Sequence, residues 1–220
     1  MPRLQTMVRW TAQTLFSVLS VGVAAYAFTY LYRAYRVGDP FAAQFAVSGW
    51  DVPLHFFAAG LALLLAPLQL SAGVRRRLSA LHRTAGWLYV AAILVGGVSG
   101  LSLAFNAQGG AASGVGFALL ALLWPVVTVR GVLLAVAGDT ARHRRWMSRS
   151  VALTFAAVTL RVILGVGTGA LQLPFLPVYI TAAWASWLLN LAVCELILRW
   201  PSLRARAAGG SRWASRPTGA

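Results

Sequence analysis

The chain has 220 residues, 59% of them hydrophobic and 10% charged, with a mean hydropathy of +0.72. Soluble domains run near about 45–50% apolar and about 25% charged residues, so the composition excludes an ordinary soluble globular domain, and the length leaves no room for a second folded domain beside a membrane one. The net charge of +15 comes from 19 basic residues, all of them arginine. Most of these stand at the ends of apolar segments, where topology and anionic lipid account for them better than nucleic acid does.

A helix needs roughly 20 mainly apolar residues to cross about 30 Å of hydrocarbon. Six segments meet that requirement: Thr11–Tyr32, Val52–Ser71, Thr84–Phe105, Val115–Ala137, Ser148–Ala170 and Val178–Leu198. The first follows Arg3 and Arg9, as a signal peptide would, and Ala24–Ala27 offers a poor cleavage site. Its apolar run is longer than the roughly 7–15 residues of a signal core, so the reading is a retained helix. The one cysteine, Cys194, falls in the last segment and excludes an intramolecular disulfide or a cysteine-based metal cluster within one chain.

The connections sort by charge. Arg75, Arg76, Arg77 and Arg83 occupy the second, and Arg142, Arg144, Arg145 and Arg149 the fourth. The third (Asn106–Gly114) and fifth (Leu171–Pro177) are uncharged, and the first sets Arg33 and Arg36 against Asp39 and Asp51. The positive-inside rule then places both termini in the cytoplasm. Trp10, Trp87, Trp146 and Trp200 would form the inner aromatic belt, with Trp50 and Trp184 in the outer one. Residues 1–200 are expected to form a single membrane domain. Residues 201–220, rich in Gly, Ala, Ser and Arg, read as a disordered basic tail drawn to anionic phospholipid headgroups.

The second and third segments repeat in the fourth and fifth. Pro67 precedes an arginine cluster and His82-Arg83, and Pro125 precedes arginines and His143-Arg144, at Pro-to-His separations of 15 and 18 positions. This reads as a duplicated helical hairpin over about residues 52–170. Gly96 with Gly100, and Gly165 with Gly169, give the G-x-x-x-G spacing that lets helix backbones approach closely.

Ionisable groups inside a membrane are costly, so each one is a functional candidate. His82 and His143 start two ascending helices at matching repeat positions, the arrangement that supplies two axial ligands to a b-type haem. The competing reading is a pair of capping or headgroup-contacting histidines. Arg83, Arg144, Arg145 and Arg149 surround these helix starts, where free N–H groups and guanidinium suit a phosphate or carboxylate; setting topology alone accounts for them equally well. His55 lies a few residues inside the outer end of the second segment and Arg161 near the middle of the fifth, about two turns apart in depth, a gap the arginine side chain can close by snorkelling; Asp51 lies one turn above His55. An Asp51–His55–Arg161 cluster is therefore expected, as a quinone, proton or anion site or as a structural clamp. Gln69, Thr159, Asn190 and Glu195 are lesser candidates, and Glu195 should pair with Arg199 one turn on. No phosphate-binding loop, nucleophile elbow, zinc-protease motif or dinucleotide fingerprint is present.

The stretches His82-Arg-Thr-Ala-Gly86-Trp-Leu-Tyr89, Ser99-Gly100, Trp124, His143-Arg-Arg-Trp146-Met147-Ser-Arg149-Ser and Leu160-Arg161 resemble the bacterial membrane proteins of the domain-of-unknown-function 2306 family. The resemblance runs from about His55 to Gly165 and implies a fold and motif positions, with no particular reaction. A fainter likeness is to b-type cytochromes, which place four histidines as facing pairs at two depths. This chain has three, with one inner pair.

The expected fold is thus an all-α, six-helix membrane bundle. Two functions follow from it. One is a redox-type protein holding a b-type haem or a quinone, with His82 and His143 as ligands. The other is a non-enzymatic lipid- or anion-binding module or small transporter.

Overall fold

The structure, a computed structural model, describes residues 2–33 and 49–213. The charge balance over Arg36 and Asp39 and the last residues of the basic tail lie outside the described residues. The helices are α1 (Pro2–Arg33), α2 (Asp51–Leu70), α3 (Ala72–Arg77), α4 (Ser79–Phe105), α5 (Ala111–Val136), α6 (Thr140–Thr154), α7 (Ala156–Leu164) and α8 (Phe175–Trp213), with a π-helical turn over Gly165–Ala170. Six spans, Trp10–Leu31, Asp51–Leu70, Ser79–Phe105, Ala111–Val136, Thr140–Ala170 and Phe175–Trp200, are long and apolar enough to cross a membrane. The chain is an all-helical membrane protein, and each expected segment overlaps an observed span, the fifth span opening at Thr140 rather than at Ser148. α8 continues past Trp200 to Trp213, into the segment that composition marks as a tail.

Local chemistry explains the turns. Ser71 leaves the helical region at ψ 114°, and its Oγ accepts from the Val74 N–H at 3.3 Å, closing α2 and opening α3. At the other arginine-rich turn, Gly138 takes φ +79°, a left-handed value that suits glycine just past a helix end. Asp139 then accepts from the Arg142 N–H at 2.9 Å and caps α6. The charge-free turn between α4 and α5 uses Gly109 and Gly110 at φ +85° and +60°. These reversals put the arginine-rich turns at one end of the bundle and the charge-free ones at the other.

α2 packs along α1 and α4, α5 along α4 and α6, and α8 along α5, α6 and α7. The interior is built largely from small residues, including Ala58, Ala62, Ala66, Ala92 and Ala183, while large apolar side chains such as Val98, Val126 and Leu196 face outward. Lipid offers no hydrophobic drive between helices, so close backbone approach supplies the packing instead. Glycine permits close approaches on α4. A Cβ at Gly96 would lie 3.1 Å from the Trp124 ring, and one at Gly97 would lie 3.0 Å from both the Ala121 carbonyl and the Pro125 ring. The second expected glycine pair does not act this way: a Cβ at Gly165 or Gly169 meets nothing within 4 Å. Both belong to the π-helical turn. Gly167 between them abuts Val178, whose Cγ1 would be 2.6 Å from an added Cβ.

Candidate functional site

A cavity of about 300 Å³ lies in the bundle core, lined from α1, α2, α4, α5, α6, α7 and α8. That is the lower end of the range of ligand pockets, about 300–1,000 Å³. Leu63, Leu103, Phe117 and Leu120 contribute to apolar walls, and its polar lining includes His55, Thr154, Arg161 and Ser186. The Ser186 hydroxyl is buried and has no hydrogen-bond partner among the described residues.

His55 stands in the second turn of α2, near the charge-free end. Its Nδ1 is 2.9 Å from the Gly96 carbonyl oxygen of α4. A carbonyl oxygen only accepts, so Nδ1 carries the proton, and in the neutral ring Nε2 bears the lone pair. Gly100 makes room for the ring: a Cβ there would sit 2.9 Å from His55 Cε1. The Gly96/Gly100 pair therefore seats one imidazole as well as letting two backbones approach.

Arg161 lies on α7, a short helix bounded by a break at Phe155 and by the π-helical turn. Its Nη1 donates to the Ala157 carbonyl at 2.8 Å, and its guanidinium carbon is 5.5 Å from the centre of the Tyr26 ring of α1. Among the described residues no carboxylate forms an ion pair with it. The structure brings His55 and Arg161 to the same cavity but does not join Asp51 to them. The Asp51 carboxylate accepts from Ser102 Oγ at 2.8 Å and from the Val52 N–H at 2.9 Å. It lines a separate groove with Ser99 and Ser102, because the first turn of α2 directs it along α4 rather than into the core.

Deeper in the bundle is a polar network that the sequence reading missed. Tyr89 OH lies 2.7 Å from Thr154 Oγ1 and 3.1 Å from Ser150 Oγ. Trp124 Nε1 donates to Thr154 Oγ1 at 2.9 Å, and Ser150 Oγ is 2.7 Å from Thr128 Oγ1. All five side chains are buried. Each satisfies the others, as buried polar groups must, and α4, α5 and α6 are tied together through them. Thr154 and Trp124 also form part of the cavity wall. The available signal was the Ser150/Thr154 spacing of four, which puts two hydroxyls on one face of an apolar helix.

A family model described as a predicted membrane protein, DUF2306, matches residues 52–198. The chain belongs to that family. The matched segment holds His55, Arg161 and the whole hydroxyl network, whereas α1, which brings Tyr26 against Arg161, precedes it. No curated protein and no solved structure matches the chain.

The arginine-rich end of this DUF2306 chain is a different environment. His143 Nδ1 is 2.8 Å from the Gly131 carbonyl, and His82 Nδ1 is buried without a hydrogen-bond partner among the described residues. The charge of Arg75 acts on His82, Arg144 and Arg145 follow His143, and neither histidine lines the core cavity. Arg83, Arg144 and Arg145 are exposed. Arg149, expected beside them as an anion ligand, is engaged elsewhere: its Nε donates to Glu195 at 2.5 Å, and it lies 5.2 Å from the centre of the Trp146 ring. Glu195 also takes Arg199 at 3.2 Å, as its position predicts. The other minor candidates act as clasps. Gln69 reaches the His82 carbonyl at 3.4 Å, Thr159 donates to Asn190 at 2.9 Å, and Asn190 donates to the Ala152 carbonyl at 3.1 Å. Among the described residues no group of three or more His, Cys, Asp or Glu side chains is placed to hold a metal ion.

Proposed function

We propose that this DUF2306 chain is a membrane-embedded binding module whose core cavity takes a lipid-soluble molecule with an acidic head, the head lying against Arg161 and the tail along the apolar walls. One observation carries the reading: a guanidinium lines an apolar cavity and has no carboxylate partner among the described residues. Full burial of an uncompensated charge costs several kcal/mol, and half-buried Arg161 bears part of that cost. The face of Tyr26 returns about 0.5–2 kcal/mol, and the single carbonyl contact leaves the other guanidinium donors free. An anionic head would satisfy them. This favours the anion-binding reading over haem ligation, since His82 and His143 stand among arginines, away from the cavity, while a haem needs an apolar slot. With the arginine-rich turns as the guide, we further place that end of the bundle at the cytoplasmic face of a bacterial inner membrane.

Calorimetric titration of the full chain in detergent tests the binding reading, with decanoate and decanol as probes. Decanoate should bind more tightly than decanol, and Arg161→Gln should weaken decanoate by about ten- to a hundredfold, the worth of a charge-assisted hydrogen bond. Arg161→Lys keeps the charge and should lie between. Equal affinity for the acid and the alcohol would overturn the reading without any variant. A quinone is the second reading, because Arg161 can also donate to a ring carbonyl. Decylubiquinone binding that exceeds decanoate binding and is lost in Arg161→Gln would favour it.

A further inference from the structure

The hydrogen bond between His55 and Gly96 has a chemical consequence for whatever acid enters the cavity. We infer that the site binds its acidic ligand together with one proton, which His55 Nε2 accepts. This rests on the cavity-binding reading above and specifies how that site works.

Gly96 O can only accept, so Nδ1–H is committed to it at 2.9 Å. The open position of the ring is Nε2. It has no hydrogen-bond partner among the described residues, and His55 lines the cavity. The ring cannot turn to exchange its nitrogens at no cost, because a half-turn would give up the Gly96 bond. The cavity head thus offers one cationic donor, Arg161, and one fixed acceptor, His55 Nε2.

Those two groups match a neutral carboxylic acid: its carbonyl oxygen takes the guanidinium and its O–H meets Nε2. They do not match a bare carboxylate, whose second oxygen would face a lone pair. Transfer resolves the mismatch. The acid O–H bond breaks, an Nε2–H bond forms, and an imidazolium and a guanidinium then flank one carboxylate. No electron is gained or lost. The other ionisable groups at this head are Arg161 on α7, Asp51 on α2, Tyr26 and Tyr30 on α1, and Tyr179 on α8. α4 and α5 present none there; their lining residues include Gly96, Gly100, Phe117, Leu120 and Trp124. Asp51 is occupied by Ser102 and by the start of its own helix, and a tyrosine ordinarily holds its proton until about pH 10. His55 is therefore the acceptor available near neutral pH.

The test is calorimetry of the unmodified full chain with decanoate, in pairs of buffers that differ in ionisation enthalpy. Above about pH 7 free decanoate is ionised and a free imidazole is neutral, so each binding event should take up one proton. The affinity should then fall about tenfold per pH unit, since the unbound pair carries one proton fewer. Decanamide is the internal control. Its carbonyl suits Arg161 and its N–H suits Nε2, so it should bind with no proton uptake and no pH dependence over the same range. His55→Gln should bind decanamide and take up no proton with decanoate. Decanoate that binds without proton uptake overturns this inference and leaves the cavity-binding reading standing. Uptake that persists in His55→Gln assigns the proton elsewhere and also overturns it. Failure of decanoate to bind at any pH removes both readings together.

Discussion

At the arginine-rich end of the bundle, Arg83, Arg144 and Arg145 are exposed, and two histidines stand beside them. At the other end, one arginine and one histidine line an apolar cavity. The residue types are the same and their meanings differ. Exposed guanidinium groups are hydrated and screened over about 10 Å at 0.1 M salt, and they orient the chain without needing partners. Arg161 is half-buried and has no carboxylate partner among the described residues to offset its charge. It is the group for which a ligand makes the largest difference, and Arg161→Gln therefore carries the largest expected effect on binding.

The contrast is sharpened by what lies between the two ends. Gly97 seats the α5 backbone, and an added Cβ would meet the Ala121 carbonyl and the Pro125 ring at 3.0 Å. Neither is a flexible side chain that can move aside. Gly97→Val should lower stability by about 1–3 kcal/mol, the cost of overpacking, read as a fall in unfolding midpoint. Gly165→Ala, with nothing within 4 Å of an added Cβ, should change it by less than about 1 kcal/mol. Equal losses from both would mean that the close contact at Pro125 does not limit the packing.

Tyr89→Phe comes next. It deletes one hydroxyl from a network in which Ser150 and Thr154 both contact it. The two remaining hydroxyls keep other partners, Thr128 for Ser150 and Trp124 for Thr154. The loss should therefore fall near about 1–2 kcal/mol rather than the full penalty of a stranded polar group. Because Thr154 lines the cavity, Thr154→Val should add a change in decanoate affinity that Tyr89→Phe does not. Equal binding losses from the two would mean that the network positions the cavity wall as one unit.

Most of the fold was legible in the sequence, and the reason is physical. A helix must hold about 20 apolar residues to span the hydrocarbon, and the charged turns cannot enter it, so hydropathy and arginine placement delimit every span. The site was legible only in part. His55 and Arg161 stood out because each is an ionisable residue inside an apolar run, and the helix rise put their backbones about two turns apart, within reach of a long arginine side chain. The place of Asp51 was not readable, because its i,i+4 spacing puts it on the face of His55 while the partner that takes it, Ser102, comes from 51 positions away. The five-residue polar network was missed for a related reason. Tyr, Trp, Ser and Thr cost little in a hydropathy window, and only the packing of α4, α5 and α6 shows that they meet. Arg149 illustrates the converse. Its sequence neighbours grouped it with a basic cluster, and Glu195, 46 positions away, took it out.

The smallest effect belongs to the exposed arginines. Arg144 and Arg161 are separated by 17 positions along α6 and α7, about 25 Å at 1.5 Å per residue. That is more than two screening lengths at 0.1 M salt. The double change Arg144→Gln with Arg145→Gln should leave decanoate affinity within about twofold, and added salt should not alter that result. The same double change should weaken the preference of the bilayer-reconstituted chain for anionic over neutral lipid, an effect that salt should also reduce. A tenfold loss of decanoate affinity in this variant would mean that the two ends act on one ligand. The acidic head would then have to be sought among the arginine-rich turns, and the contrast between screened and unscreened cations would no longer separate topology from binding.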